Sequence, residues 1–379
     1  MKESYFFTKK FLIGSILLFL ISLVIFIILI CRYFKKKNSF PQVVRYYKCK
    51  EKQNSLLIAD IFKDYNINQT GKFYCNLYLP CGYNEVESEL RKLTISNNVK
   101  YIFGLNGCDR LVSKNSLWSI FDNYYGRNIS SKILPETFIL GNNNDFNYLI
   151  DLYSKNNNLI MICKKNIQRK KGIKIVKSIE DIIYCKKNNY KIAQKFINNS
   201  FLVNNYKINL RVYLLIVVEN GKVNYYVNRE GKCLYANKKY SNNSDLVYEE
   251  NITSSNMDIN IYNNNPHNFE EFNRYLIQNG YNNWNKVYGN ILDIFRKLYR
   301  VSSDIFKNQK HKNKIYFQLF GCDIILDDNL NPYLLEINKG PDMIPKVDKD
   351  YILKRKVYYD TFSKVNILPN KNNNFIKIN

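Results

Sequence analysis

The distribution of apolar and polar positions divides this chain into one unbroken apolar run and a long mixed body. Residues 11–31 read FLIGSILLFLISLVIFIILIC and carry no charge. At about 1.5 Å of rise per residue, a helix of that length crosses the ~30 Å hydrocarbon layer of a bilayer. The run is apolar all round, whereas a core helix of a globular domain is apolar along one stripe. Arg32, Lys35, Lys36 and Lys37 follow it, where a secretory signal would carry a small-residue cleavage site. The pattern therefore predicts an uncleaved single-pass transmembrane helix, with a short tail (1–10) before it and a basic juxtamembrane linker (32–40) after it. The excess of positive charge beyond the run places the C-terminal body in the cytosol.

After the linker the period changes. QVVRYYKC is strand-like and SLLIADIFKDY has helical spacing, so residues 41–106 read as a small α/β unit. GLNGCDRLVSKNSLWSIFDNYYG is a loop leading into an amphipathic helix, followed by ILPETFIL at 133–140. NLIMICKK (158–165) and KGIKIVKS (171–178) are two short strands around a basic turn. Two longer hairpins follow, at 205–231 and 314–343. Asn-rich stretches near 142–147, 241–246 and 263–268 read as inserted loops.

Composition narrows the chemistry. With 46% hydrophobic residues the chain can bury a core, which excludes wholesale disorder. Only His267 and His311 occur, so histidine-rich metal sites and serine-type triads lack their base. The nine cysteines are scattered, with no C-x-x-C pair, and fit neither a disulfide framework nor a zinc pattern; they point to a reducing compartment. A formal charge of +25 invites a nucleic-acid reading. Asparagine, lysine, isoleucine, tyrosine and phenylalanine are over-used together, however, and all have A/T-rich codons. Base bias in the genome accounts for the surplus, and nucleic acid is discounted as a partner.

Three constellations carry chemistry. Lys164 ends a strand beside the polar loop NIQRK, a common way to place a point charge on nucleotide phosphates; taken alone, this stretch reads better as an ordinary hairpin with a solvated basic turn. In NYKINLRVYLLIVVENGKVNYYVNREG, strand alternation puts Lys207, Asn209 and Arg211 on one face. Glu219-Asn220-Gly221 is a turn with two registers. A two-residue Asn-Gly turn sets Arg229 on the face opposite Arg211, and a three-residue loop sets it directly across; a functional pairing requires the second. In KIYFQLFGCDIILDDNLNPYLLEINKGPDM, a four-residue loop, 328–331, brings Asp323 opposite Glu336, with Asn338 two residues further along the same face. Two carboxylates and an amide oxygen are hard ligands suited to Mg²⁺ shared with phosphates. Uncompensated, the carboxylates would repel, so a cation or a lysine must sit between them.

The order LVSKNSLW, ILPETFIL, ICKK, AQKFINNSFLVNNYKINLR, NREG and FQLFGCDIILDDNLNPYLLEINKGP resembles the tubulin–tyrosine ligase family over residues 104–345, roughly two thirds of the chain. The resemblance implies an α+β, ATP-grasp-like architecture with mostly antiparallel sheets. It also implies a central domain at 107–203, a C-terminal domain at 204–365 carrying the Mg²⁺ site, and a disordered Asn/Lys-rich tail at 366–379. It assigns phosphates to Lys114 and Lys164, adenine to Gln194, Lys195 and Ile197, and Mg²⁺ to Asp323, Glu336 and Asn338. Lys207, Arg211 and Arg229 handle the γ-phosphate and the amino-acid carboxylate, with Thr253 nearby. The implied reaction uses ATP and Mg²⁺ to join a free amino acid, by glutamylation or tyrosination, to a protein acceptor such as tubulin or another acidic-tailed protein. Three departures stand out: the loop QRKKG has a single glycine, Asn209 replaces the family's acidic residue, and Asn251-Ile-Thr-Ser254 replaces H-L-T-N. They motivate a rival reading, a membrane-tethered nucleotide-binding module without ligase activity.

Overall fold

A computed structural model describes residues 21–27, 44–48, 56–82, 85–156, 158–166, 172–240, 248–253 and 258–379. The chain separates into two units, residues 1–44 and 45–379. Of the expected membrane run, only residues 21–27 are described, as a helix. No helix among the described residues is long and apolar enough to cross a membrane, which overturns the single-pass placement of the chain. The tail 1–10, the rest of 11–31 and the linker 32–40 lie outside the described residues.

The second unit is built on two sheets. Its strands are β1 (Arg45–Lys48), β2 (Asn68–Gln69), β3 (Leu77–Leu79), β4 (Tyr101–Phe103), β5 (Thr137–Ile139), β6 (Met161–Lys164), β7 (Ile173–Val176), β8 (Ile192–Lys195), β9 (Leu202–Val203), β10 (Tyr206–Glu219), β11 (Lys222–Tyr235), β12 (Ile315–Leu326), β13 (Pro332–Asn338) and β14 (Phe375–Lys377). The large sheet runs β14-β11-β10-β12-β4-β3-β1-β2, with β13 on β12 and β9 on β10. Its β1–β4 part pairs in parallel and its β9–β14 part antiparallel, so this sheet is mixed, and the small sheet β5-β8-β6-β7 is antiparallel. Residues 45–103 thus extend the same sheet as the long C-terminal strands. The tail expected to be disordered instead places β14 on the edge of β11, with Tyr226 opposite Lys377.

Period-2 alternation explains how each sheet faces its neighbours. In the small sheet, Met161, Cys163, Val176 and Ala193 are buried against Leu149, Tyr153, Ile182 and Cys185 of the helices Asn143–Lys155 and Ile179–Lys187. The opposite face of the same strands, with Ile162, Lys164 and Gln194, is left for the cleft. In β10, Leu210, Val212, Leu214, Ile216 and Val218 join the main core with Ile291, Phe295 and Leu298 of the 23-residue helix Trp284–Phe306. The other face of β10 is split in two. Its first half is polar (Lys207, Asn209, Arg211), and its second half (Tyr213, Leu215, Val217) is apolar and buried.

The long strand β12 pairs with β10 along its whole length, but its other edge is shared. Ile315–Phe317 pair with β4 and Gly321–Leu326 with β13. Between them the buried Gln318 side chain accepts from the Leu105 backbone N–H at 2.9 Å and donates to the Lys339 carbonyl at 3.1 Å. These two bonds satisfy backbone groups that the change of partner strand leaves without a ladder. Among the cysteines, Cys75, Cys108, Cys163, Cys185, Cys233 and Cys322 are free and buried, whereas Cys81 is in a disulfide. The all-thiol reading is corrected there, because spacing along a chain does not report spatial pairing.

Candidate active site

The polar face of β10, the end of β12 and the second half of β13 form one wall of a cleft of about 150 Å³, and the small sheet forms the other. Lys114, Lys164, Gln194, Lys195, Ile197, Lys207, Thr253, Asp323, Glu336 and Asn338 all line it. Of the residues expected from sequence, Arg211 stands just behind this surface, on Asp323, and Arg229 stands apart.

The metal-ligand hairpin forms with the expected pair by an unexpected route. Asp323 is opposite Glu336 and Gly321 opposite Asn338. The loop between Leu326 and Pro332 holds five residues, and the register shifts between Asp323 and Ile324, so that Leu335 is an extra residue on β13. Such a bulge re-aims its strand, and Leu335 and Glu336 both face the cleft. Asp327 organises the loop by accepting from the Asn329 and Asn331 N–H groups at 3.0 and 2.8 Å.

The carboxylates do have the compensating cations that their burial demands. Arg211, directly opposite Asp323 across β10 and β12, donates Nε–H to Oδ1 at 2.5 Å and Nη2–H to Oδ2 at 3.1 Å. Gly321 permits this approach, since a Cβ there would lie 3.0 Å from Arg211 Cδ and 2.8 Å from Pro341 Cβ. Glu336 Oε2 faces Lys114 Nζ at 3.6 Å, and its Oε1 accepts from the Asn338 amide at 3.4 Å. Burial raises Asp323 above the ordinary carboxylate range even with Arg211 beside it. Burial pushes Glu336 the same way, but Lys114, Lys164 and Arg211 outweigh it and hold its carboxyl below the usual value.

Two lysines, Lys164 and Lys114, face the cleft. Lys164 donates to Gln194 Oε1 at 2.7 Å, and Gln194 donates onward to Thr137 Oγ1 at 3.0 Å. Burial lowers Lys164 to about 8, against the opposing pull of Glu336. Lys114 opens the helix Lys114–Tyr125, where a cation faces the positive end of the helix dipole, so helix stability does not explain its position. Asn166 donates to both Ser113 Oγ and Asn115 Oδ1, at 3.0 and 2.8 Å, tying that helix start to the loop after β6.

Lys207 is 2% exposed, and among the described residues its ammonium has no hydrogen-bond partner. Its Nζ lies over the Phe196 and Tyr240 rings, at 4.2 and 4.5 Å from their centroids. Burial lowers it to about 7 from 10.5. Lys207 precedes Arg211 by four residues, about 13 Å along a strand, and sits at the Gln194–Ile197 end, away from the carboxylates. Between the two ends Asn209 donates to Thr253 Oγ1 at 2.7 Å. An unfolded lysine binds its proton up to pH 10.5, while buried Lys207 releases it near 7, so stability rises with pH across that interval. Lys207→Met is expected to raise the thermal midpoint of the unliganded chain at pH 7 and to flatten the rise between pH 7 and 10.5. Thermal denaturation at a series of pH values checks this; a lower midpoint would mean that the ammonium has a partner.

Arg229 requires a correction. Asn220 and Gly221 both have positive φ, at 50° and 75°, and Glu219 pairs with Lys222: a two-residue turn. Beyond Leu214 opposite Val227 the register shifts, so Val212 faces Gly231 and Lys232, not Arg229, lies across from Arg211. Arg229 falls inside this irregular stretch and is exposed, with its backbone N–H on the Asn374 carbonyl at 3.0 Å. Sequence reasoning also missed the apolar walls of the cleft, Ile162, Ile173, Ile325 and Leu335, and the ring of Tyr240 over Lys207. Their strand alternation is legible in the sequence; which face meets a second sheet is not.

A mixed large sheet and a small antiparallel sheet enclosing lysines on one side and paired carboxylates on the other define an α+β protein consistent with an ATP-grasp-like architecture. The chain belongs to the tubulin-tyrosine ligase family, whose model matches residues 94–375. It is similar to the mouse protein named tubulin polyglutamylase TTLL6, 28% identical over 228 residues, or 55% of this chain and 27% of that protein. It is also similar to the human protein named probable tubulin polyglutamylase TTLL2, 27% identical over 297 residues, or 71% and 47% of the two chains. A third relative is tubulin glycylase 3B of Drosophila melanogaster, 28% identical over 193 residues, or 47% and 25%. The alignments span between about a quarter and a half of these relatives' lengths.

Proposed function

We propose that this chain is an ATP-dependent ligase that joins an amino acid to a protein acceptor, tubulin or another acidic-tailed protein, through an acyl phosphate. The observation that carries this reading is the convergence, on one cleft, of cations from the small sheet and the helix Lys114–Tyr125 with the Asp323/Glu336/Asn338 oxygens of the large sheet. Nothing local in the chain requires these segments to meet.

In the proposed reaction a carboxylate oxygen attacks the γ-phosphorus, the bond to the departing ADP oxygen breaks, and an acyl phosphate forms. An amine nitrogen then adds to the acyl carbon, loses its proton, and expels phosphate to leave an amide. The chain's part is to neutralise accumulating negative charge and to align attacker with leaving group. Lys114 and Lys164 hold phosphate oxygens, and the apolar side chains of Ile162, Ile173 and Leu335 sandwich the base along the Gln194–Ile197 edge. Lys207 offers that base its unpartnered nitrogen, and Asn209 with Thr253 faces the sugar. Asp323, Glu336 and Asn338 would hold Mg²⁺, which supplies charge stabilisation across the transferring phosphoryl group. Hard oxygens on adjacent register positions, all facing the cleft, fit that ion. Arg211, next to Asp323, is placed to take up the anionic substrate group.

The test is the purified chain incubated with ATP, Mg²⁺, pooled amino acids and tubulin, with ADP measured by coupled assay and the acceptor by mass spectrometry. Release of ADP together with an acceptor mass increase of whole amino-acid residues is expected. A second reading, nucleotide binding without transfer, is favoured by the exposure of Arg229 and the neutrality of Asn209. Bound ATP with neither ADP nor a mass change would select it.

A further inference from the structure

All four carboxylate oxygens that the proposed function assigns to a divalent ion already have a cation or an amide donor from the chain. Arg211 takes both oxygens of Asp323, at 2.5 and 3.1 Å. Lys114 stands 3.6 Å from one oxygen of Glu336, and the Asn338 amide stands 3.4 Å from the other. The local charge is then three cations, Lys114, Lys164 and Arg211, against two carboxylates. A divalent ion arriving alone would meet a net positive site whose carboxylate oxygens already face cations or an amide of the chain.

A triphosphate reverses that balance. Its oxygens attract Lys114 and Lys164, which already face the same space, and offer Arg211 an alternative anion. The carboxylate oxygens are then released as a negative group arrives beside them. We propose that Arg211 and Lys114 are resident counter-cations that close the Asp323/Glu336 ligand set to a free divalent ion, so that the ion enters only together with an anionic nucleotide. This inference rests on the nucleotide-and-metal reading of the cleft. It adds an order of assembly and two residues that enforce it.

The experiment is a Mn²⁺ titration of the whole chain followed by electron paramagnetic resonance, with and without the β,γ-imido analogue of ATP, whose own binding is measured by calorimetry. Mn²⁺ alone is expected to bind at least tenfold more weakly than in the presence of the analogue. Arg211→Met and Lys114→Met are each expected to strengthen the binding of Mn²⁺ alone by at least tenfold. Lys114→Met keeps the test intact if the Arg211 variant does not fold. Equal Mn²⁺ affinity with and without the analogue, or free-ion affinity unmoved in the folded variants, overturns the proposal. If the analogue binds but recruits no Mn²⁺, the metal assignment of Asp323, Glu336 and Asn338 fails, and this inference with it.

Discussion

Glutamine in place of Glu336 is expected to cut ATP turnover by roughly 10²–10³-fold, the range seen when one preorganised group that stabilises transition-state charge is removed. The exchange keeps side-chain volume and deletes one ligand charge. Glu336 keeps 30% of its side-chain surface exposed, and its ion pair with Lys114 is 3.6 Å long. A partly exposed pair at that distance contributes little to stability, so the thermal midpoint should stay close to that of the parent. Loss of turnover with an unchanged midpoint therefore reports on the site and not on the fold. Measuring ADP release and thermal denaturation on the same preparation checks both halves. Parental turnover in Glu336→Gln would show that this carboxylate is not a metal ligand.

Arg211→Met is expected to destabilise the chain by about 3–5 kcal/mol, because it strands Asp323 as an unpaired buried carboxylate. Asp323→Leu, which strands the guanidinium, should cost a comparable amount. The double variant should recover much of the loss, since an apolar pair leaves no uncompensated charge. Chemical denaturation of the four proteins gives the coupling directly, and simple additivity would contradict the bidentate pairing. The sign of the pH effect is a separate check. In Arg211→Met the carboxyl, already raised by burial, loses its nearest cation and rises further from its ordinary 3.8. The native state then binds the proton more tightly than the unfolded chain. Stability therefore falls as pH rises from 3.8 toward neutrality, and the variant's deficit shrinks on acidification.

These effects fall on residues whose types and order are legible in the amino-acid sequence. Strand alternation in ICKK and KINLR puts Lys164, Lys207 and Arg211 on polar faces, and the order of segments matches a known family. A four-residue loop predicts the pairing of Asp323 with Glu336. The chain reaches that pairing through a five-residue loop and a bulge at Leu335, two differences that cancel in register. No such cancellation rescues Arg229. Its Asn-Gly turn is the type that its residues favour, but the shift between Val212 and Leu214 lies six and more residues away from that turn. It answers to packing on β12 and β14, which turn chemistry does not contain.

The membrane expectation fails for a different reason. It rests on the composition of residues 11–31, whereas a span requires one continuous helix. No helix among the described residues is long and apolar enough to be one.

Residue chemistry and period-2 alternation thus settle which groups this protein can offer and which side of its own strand each occupies, because both depend on neighbours a few positions away. Folding alone decides that the strands β1–β4 and β14 join the long C-terminal hairpins in one sheet, and that the small sheet turns its Lys164 face toward Asp323. Contacts between segments more than a hundred residues apart are chosen by which apolar surfaces can be buried together. That choice depends on the shape of the whole core and is carried by no single stretch of chain.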